Sequence, residues 1–178
     1  MSGIILDRHS GEQTIVMLPE ITDFYEEIHS ENSDDGSHEL FSRPTFITRT
    51  TDQARKTGFE LVTATLKCDL VGFSFGYPLS PGQWWGECTA PPEEVLNSSK
   101  FAVIELNVKK VYRRQGIGKK LLDDLLAGRP EGFATLATTT GSTANAMYLR
   151  WGWFKVGFFV TPPPMDALVI PLGGTEHA

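Results

Sequence analysis

The sequence predicts an α/β protein with a buried strand, an amphipathic helix and a second strand in succession near its middle. Three observations carry that prediction. Residues 101–108 are apolar on both faces at first and are interrupted only by Glu105 and Asn107, which places this strand inside a sheet. The segment after Gly116 and Gly118 puts Ile117, Leu121, Leu122, Leu125 and Leu126 on one helical stripe and stops at Gly128 and Pro130. Residues 133–139 then read as a further strand, which completes a strand, helix, strand unit.

The remaining elements follow from local pattern. Residues 14–18 read as a first strand, and Pro19 opens a helix through residue 28 whose Ile21, Phe24, Tyr25 and Ile28 keep a helical spacing. Residues 30–37 form a polar, acidic loop. A second helix is expected over 48–56, ending at Gly58. Two strands follow, 59–67, rich in β-branched residues, and 69–77, which alternates Val71, Phe73, Phe75 and Tyr77. The long connection 78–99 holds Trp84 and Trp85, as walls of a pocket or as core anchors. Beyond the central unit, Ser142 or Thr143 caps a helix carrying Ala144, Met147, Tyr148 and Trp151, with Gly152 at its end. Strands 154–160 and 167–172 flank Pro162, Pro163 and Pro164. With no internal repeat and no low-complexity tract, one domain over 1–178 is the simplest account.

Composition narrows the class. At 178 residues, 40% hydrophobic and 21% charged, the chain is neither collagen-like, coiled coil nor mostly disordered. Folding at this length buries roughly 70% of the extended surface, so the core needs no disulfide or structural metal. Cys68 and Cys88 fit no paired ligand spacing and are expected as small buried hydrophobes in a reducing compartment. His9, His29, His38 and His177 form no His-x-x-x-His spacing, so no metal is expected. No apolar run approaches the roughly 18 to 20 residues of a membrane span, and residues 1–10 lack the basic head and apolar stretch of a signal peptide. A soluble, cytoplasmic protein with no membrane partner is expected. The net charge of −6 argues against general nucleic-acid binding.

The charges are unevenly placed. Asp7, Glu12, Glu20, Asp23, Glu26, Glu27, Glu31, Asp34, Asp35 and Glu39 crowd the first forty residues, against Arg8 alone. Lys109, Lys110, Arg113, Arg114, Lys119 and Lys120 crowd the turn between the buried strand and the Leu-striped helix. Glycines there let the backbone approach a ligand, and the unpaired first amides, the helix dipole and the flanking bases together suit a phosphate or pyrophosphate. A P-loop is excluded, because Arg113 stands where its first Gly belongs and Lys120 where its Ser or Thr belongs. A dinucleotide fingerprint is excluded by Leu121 at its third glycine position.

The segment Arg113-x-x-Gly116-x-Gly118, following a strand that ends in Val108 and the aromatic Tyr112, resembles the acetyl-CoA pyrophosphate loop of the GNAT superfamily of N-acetyltransferases. About thirty residues on, Ala144, Tyr148, Gly152 and Trp153 are similar to that family's Ala-x-x-x-Tyr-x-x-x-Gly-Phe signature, with Trp in place of Phe. The similarity covers residues 101–158. It implies a mixed, mostly antiparallel twisted sheet of six to seven strands, flanked by about four helices and splayed at a central parallel pair. Residues 1–99 would then serve mainly the acceptor and 100–178 mainly acetyl-CoA, the co-substrate.

The resemblance also implies roles. The backbone of Leu106, Asn107 and Val108 would pair with the pantetheine arm. Amides from Arg114 through Gln115, Gly116, Ile117 and Gly118 to Lys119 would hold the pyrophosphate, with Arg113, Lys119 and nearby bases adding charge. The family's Asn seven residues before the Tyr is Gly141 here; Asn145, displaced into the helix, is the candidate for that side-chain contact. A backbone N–H near Val108 would face the oxyanion, and Tyr148 matches the general acid, a phenol with an unperturbed pKa of about 10. Glu105 is the ionisable group inside the strand. It is either the general base, raised by burial toward neutrality, or a structural carboxylate, since it shares a face with Phe101, Val103 and Asn107 rather than with Leu106 and Val108. The expected acceptor is a primary amine of a small molecule, drawn by the acidic first half in which Glu26, Glu27 and Glu31 are either attracting groups or a solvated helix face. A protein N-terminus or lysine is the alternative acceptor, and a module that binds acyl-CoA without catalysis the alternative class. A homodimer through sheet edges is the assembly that the family suggests.

Overall fold

The computed structural model describes residues 3–30 and 42–173. Hydrogen-bonded strands run in the order β1-β2-β3-β4-β5-β7-β6, with β1 Ile4–His9, β2 Glu60–Leu66, β3 Asp69–Leu79, β4 Lys100–Val108, β5 Phe133–Thr139, β6 Phe154–Phe158 and β7 Met165–Pro171. β1 with β2, β2 with β3, β5 with β7 and β6 with β7 are antiparallel. β4 and β5 are parallel in a register from Lys100 opposite Phe133 to Ala102 opposite Thr135, a short stretch of a nine-residue strand. The mixed, mostly antiparallel sheet with one parallel pair is the expected one. Six helices are described: α1 Gly11–Val16, α2 Leu18–Ser30, α3 Arg43–Ala54, α4 Glu93–Leu96, α5 Ile117–Leu126 and α6 Thr143–Arg150. They are the four expected helices and the short α1 and α4.

The chain forms two compact units. The first contains residues 1–77 and 105–127. Its start corrects the sequence reading, because 14–18 is not a strand. Ser10 accepts a hydrogen bond from the Gln13 amide (3.2 Å) and the Gln13 side chain accepts one from the Ser10 amide (2.8 Å), and this reciprocal cap starts a helix at Gly11. The strand lies earlier, over Ile4–His9, where Asp7 and Arg8 mask its pattern; Arg8 is tied to Glu60 and Asp124. α2 buries Ile21, Phe24, Tyr25 and Ile28 as its spacing requires. α3 begins at Arg43 rather than residue 48, since Ser42 caps it and Pro44 fits the first turn.

β2 and β3 join through Lys67 and Cys68, whose φ values of 50° and 68° make the mirror-image two-residue turn favoured in hairpins. Cys68 is therefore exposed at the hairpin tip, not buried as expected, and Cys88 is half-buried. Phe24 meets Phe73 edge-on at 5.5 Å, and Tyr25 stacks on Phe46 at 4.0 Å. α5 buries Ile117, Leu121, Leu122 and Leu125, each contributing about 1.5–3 kcal/mol relative to exposure.

The second unit contains residues 78–104 and 128–178. Lys100 is fully buried and donates to the carbonyls of Leu96 (2.9 Å), Ser98 (2.8 Å) and Ser80 (3.4 Å), which fastens the connection 78–99 to the start of β4. Trp84 packs against Val95, Phe133 and Val169, and the Trp85 indole donates to Thr135 Oγ1 at 2.9 Å. Both tryptophans anchor the connection.

Gly72 on β3 marks a close approach between β3, the end of β4 and α5. A Cβ there would lie 2.9 Å from the Asn107 carbonyl oxygen and 3.0 Å from Leu121 Cδ1. Gly72→Ala is expected to lower the unfolding free energy by about 1–3 kcal/mol, read as a reduced urea midpoint with an unchanged m-value.

Candidate functional site

β4 leaves the core as it ends: Phe101 and Ala102 are fully buried, whereas every residue from Ile104 to Val108 is half-buried. The strand end is pinned to β3, with the Ser74 hydroxyl donating to the Glu105 carbonyl (2.7 Å) and the Lys109 amide to the Val71 carbonyl (2.9 Å). A single 3-10 turn, Lys110–Tyr112, follows. Arg113 folds back so that its Nε donates to the Val108 carbonyl at 3.0 Å, and Gln115 Nε2 reaches the Val111 carbonyl at 3.4 Å.

The backbone then enters the left-handed region twice, at Arg114 (φ 62°) and at Gly116 (φ 82°). Gly116 occupies the N-cap of α5, offers no side chain to its first amides, and has nothing within 4 Å of the position a Cβ would take. Bare amides, the positive end of a helix and open space beside the turn form a concavity suited to an anion. Leu106, Asn107, Val108, Ile117, Gly118 and Lys119 all belong to this continuous stretch of strand, turn and helix.

The bases around it divide into two groups. Lys109 pairs with Glu27 (3.6 Å) and lies over the Phe24 ring, and Lys119 pairs with Asp123. Arg114 and Lys120 are exposed and make no ion pair among the described residues. Two acids of α2 are likewise engaged: Arg43 holds both Asp23 (2.7 Å) and Glu26 (2.8 Å). Glu31, Asp34, Asp35 and Glu39 lie outside the described residues.

Glu105 points to the same face as Asn107, as strand alternation requires. Its side chain is 16% exposed; Oε1 lies 3.5 Å from Arg49 Nη2, and Oε2 accepts from Asn107 Nδ2 at 3.1 Å. Burial pushes its carboxyl pKa above the usual range, and Arg49 and Asn107 pull against that rise.

In the second unit, Ser142 caps α6 by accepting from the Asn145 amide at 3.0 Å. Asn145 is buried and its Nδ2 donates to Asp166 Oδ2 at 3.0 Å. The other Asp166 oxygen accepts from Thr140 Oγ1 and Lys155 Nζ, both at 2.9 Å. Burial alone would raise the Asp166 pKa, but the bonds from Lys155, Thr140 and Asn145 outweigh it and hold the carboxyl low. Tyr148 is 8% exposed and its ring is held edge-on by Trp151 (5.7 Å) and Trp153 (5.9 Å). The Trp153 amide returns to the Tyr148 carbonyl at 3.1 Å, so Tyr148, Gly152 and Trp153 form one closed helix end.

Arg49 and Asp166 escaped the sequence reading. Asp166 stands one residue before the strand expected at 167, and the period of α3 gives no sign that Arg49 meets a strand carboxylate. Among the described residues, no cluster of His, Cys, Asp or Glu stands ready for a metal, and no helix is long and apolar enough to cross a membrane.

A parallel strand pair within an otherwise antiparallel sheet, and a strand that turns through glycine into an uncapped helix, give a mixed α/β fold with a turn suited to an anion. The chain belongs to the acetyltransferase (GNAT) family, whose model matches residues 19–153; enzymes of this family are acyltransferases that use acetyl-CoA. It is 33% identical over 101 residues to the GCN5-like protein acetyltransferase Rv2170 of Mycobacterium tuberculosis, a match covering 49% of each chain. The chain thus spans about half the length of that curated relative. Its fold is similar to that of the PaiA N-acetyltransferase of Thermoplasma acidophilum, solved in complex with coenzyme A (TM-score 0.64, 14% identity, covering 96% of this chain and 99% of that one). It is also similar to the ribosomal-protein-S18-alanine N-acetyltransferase of Escherichia coli (TM-score 0.60, 16% identity, covering 98% and 99%).

The left-handed backbone at Gly116 supplies a direct test. Gly116→Val forces a β-branched residue into that region at a cost of about 1–3 kcal/mol, whereas Lys120→Ala removes a surface charge worth about 0.3–1 kcal/mol. Calorimetric titration with coenzyme A is expected to show the larger loss of affinity for Gly116→Val, about 5- to 150-fold if the strain is expressed fully in binding.

Proposed function

We propose that this protein transfers the acetyl group of acetyl-CoA to a primary amine of a small molecule by direct attack in a ternary complex. The uncapped, left-handed turn at Gly116 is the observation that carries the reading. The donor set around that turn fits a pyrophosphate, since it consists of main-chain N–H groups beside Arg114 and Lys120 with room for phosphate oxygens. Bound acetyl-CoA supplies an activated thioester carbonyl.

The residues of this chain supply the rest. Leu106, Asn107 and Val108 offer main-chain groups on a half-buried strand end to an amide-bearing arm. The amides from Arg114 to Lys119 bind phosphate oxygens, and Arg113 holds the turn to β4 through the Val108 carbonyl. A main-chain N–H near Val108 donates to the developing oxyanion. Glu105, whose proton affinity burial raises, accepts a proton from the acceptor ammonium, directly or through water, so that the neutral amine attacks the thioester carbonyl. Tyr148 donates the proton that the leaving thiolate takes up; its burial and its clamp between Trp151 and Trp153 support that role. Asn145 is given to Asp166 and fixes α6, so its part in cofactor binding is indirect. An amine on a protein is the second reading, favoured by the mycobacterial relative that is named a protein acetyltransferase.

Thiol release from acetyl-CoA, followed with benzylamine, ethanolamine, glucosamine, an alanyl peptide and a lysine peptide, tests both readings. Release with one of the first three supports the small-molecule acceptor, release with the peptides alone supports the second, and binding of coenzyme A without turnover on any of them opposes catalysis. Tyr148→Phe is expected to lower kcat at least a hundredfold with a smaller change in the KM for acetyl-CoA; a kcat within a factor of two of the wild type would remove Tyr148 from the acid role.

A further inference from the structure

The roles above leave Arg49 without one, although it lies where it can govern Glu105. Arg49 is a middle residue of α3, three positions after the fully buried Phe46. Its Nη2 stands 3.5 Å from Glu105 Oε1 and 3.4 Å from the Tyr25 hydroxyl. Tyr25 is itself fixed, buried to 1%, stacked on Phe46 at 4.0 Å and tilted against His29 at 4.2 Å. The guanidinium is thus a half-buried group braced on one side by α2 and directed on the other at a strand carboxylate.

We infer that Arg49 is a positioning residue for the general base: held by Tyr25, it fixes the rotamer and the charge state of the Glu105 carboxylate. The inference rests on the assignment of Glu105 as base. Two elements face that carboxyl and a third holds its backbone. Arg49 from α3 and Asn107 from β4 each take one oxygen, and Ser74 from β3 bonds the Glu105 main chain. Tyr25 and His29 from α2 are the titratable groups behind the guanidinium. The next cation along the chain, Lys109, is paired with Glu27.

The physical reason is a balance of two opposing effects on a mostly buried acid. Desolvation favours the protonated form, which cannot act as a base, and an opposite charge within 4 Å favours the carboxylate. Without Arg49 the carboxyl would retain its proton to higher pH and would lose one of the two contacts that orient it. The sign follows: as pH falls, Glu105 takes up a proton and activity declines, and removal of Arg49 moves that decline upward in pH. An ion pair with a carboxylate that takes no part in the reaction would leave the decline in place.

Two measurements on the full chain separate this inference from the assignment on which it rests. The first needs no acceptor. Carbon-13 labelling of glutamate carboxyls, with the Glu105 signal identified by its loss in Glu105→Gln, follows the protonation of that one group by NMR. In Arg49→Met the Glu105 midpoint is expected to move to higher pH than in wild type, and Arg49→Lys is expected to restore most of the difference. An unchanged midpoint in Arg49→Met overturns the inference. Arg49→Gln, which keeps a polar contact to Tyr25, replaces Arg49→Met if the latter fails to show a cooperative thermal transition.

The second measurement is the pH profile of kcat/KM with acetyl-CoA and whichever of the five acceptors above turns over fastest. Glu105→Gln is expected to abolish the acidic limb, and Arg49→Met to move that limb to higher pH, which lowers the ratio of activity at pH 6 to that at pH 8. Coenzyme A affinity stays within twofold of wild type. A limb that survives in Glu105→Gln removes the base assignment while the NMR result still decides whether Arg49 governs the carboxyl. A limb lost in Glu105→Gln but unmoved in Arg49→Met keeps the base and overturns the inference.

Discussion

The turn after β4 must leave its own amide hydrogens bare, and the neighbouring structure in the first unit serves that condition. A Ser, Thr or Asp at the N-cap would satisfy those amides from within and stabilise α5 by about 1 kcal/mol. This chain places Gly116 there instead, in a left-handed conformation with open space beside it. The foregone cap is offset elsewhere. Ile117, Leu121, Leu122 and Leu125 bury one side of the helix, Ser74 and the Lys109 amide fix the strand that feeds it, and Arg113 closes the turn onto Val108. Gly72 lets Leu121 and the Asn107 carbonyl approach β3 more closely than any side chain would allow. The turn is thus held in place by its surroundings rather than by a capping side chain of its own.

What the sequence made legible followed from how strongly local pattern agreed with burial. The central strand, the Leu-striped helix and the strand after it were clear because both faces of one element and one full stripe of the next are apolar. The N-terminus was misread where two local signals conflict. Thr14, Ile15 and Val16 favour a strand by side-chain shape, but the Ser10 and Gln13 cap satisfies amides that a strand would leave to a neighbour, and the helix prevails. β1 lies at the sheet edge, where Asp7 and Arg8 break the apolar alternation. The loop motif was legible because its residues are contiguous. The partners of Glu105 and Asn145 were not, because Arg49 and Asp166 come from distant elements and no periodicity announces a side-chain pair.

Charge shows the same contrast between count and arrangement. The acidic first half suggested a field that attracts a cationic acceptor, yet Asp23, Glu26 and Glu27 each meet a base. Such exposed pairs contribute about 0–1 kcal/mol to stability and neutralise these three acids locally, so the count of acids overstates the charge that α2 presents to its surroundings.

Two buried carboxylates show how far geometry decides. Asp166 receives three donors, one of them the Lys155 ammonium, and its proton affinity falls below that of an ordinary aspartate. Glu105 receives Asn107 and a longer contact to Arg49, which do not overcome its desolvation, and its proton affinity rises. The first is therefore ionised throughout the neutral range and suited to hold Asn145 and α6 in place. The second keeps its proton to higher pH than an ordinary glutamate, the direction of change that general-base chemistry uses. The same functional group has its proton affinity raised or lowered by the depth of its desolvation together with the number and charge of the donors that the fold brings to it.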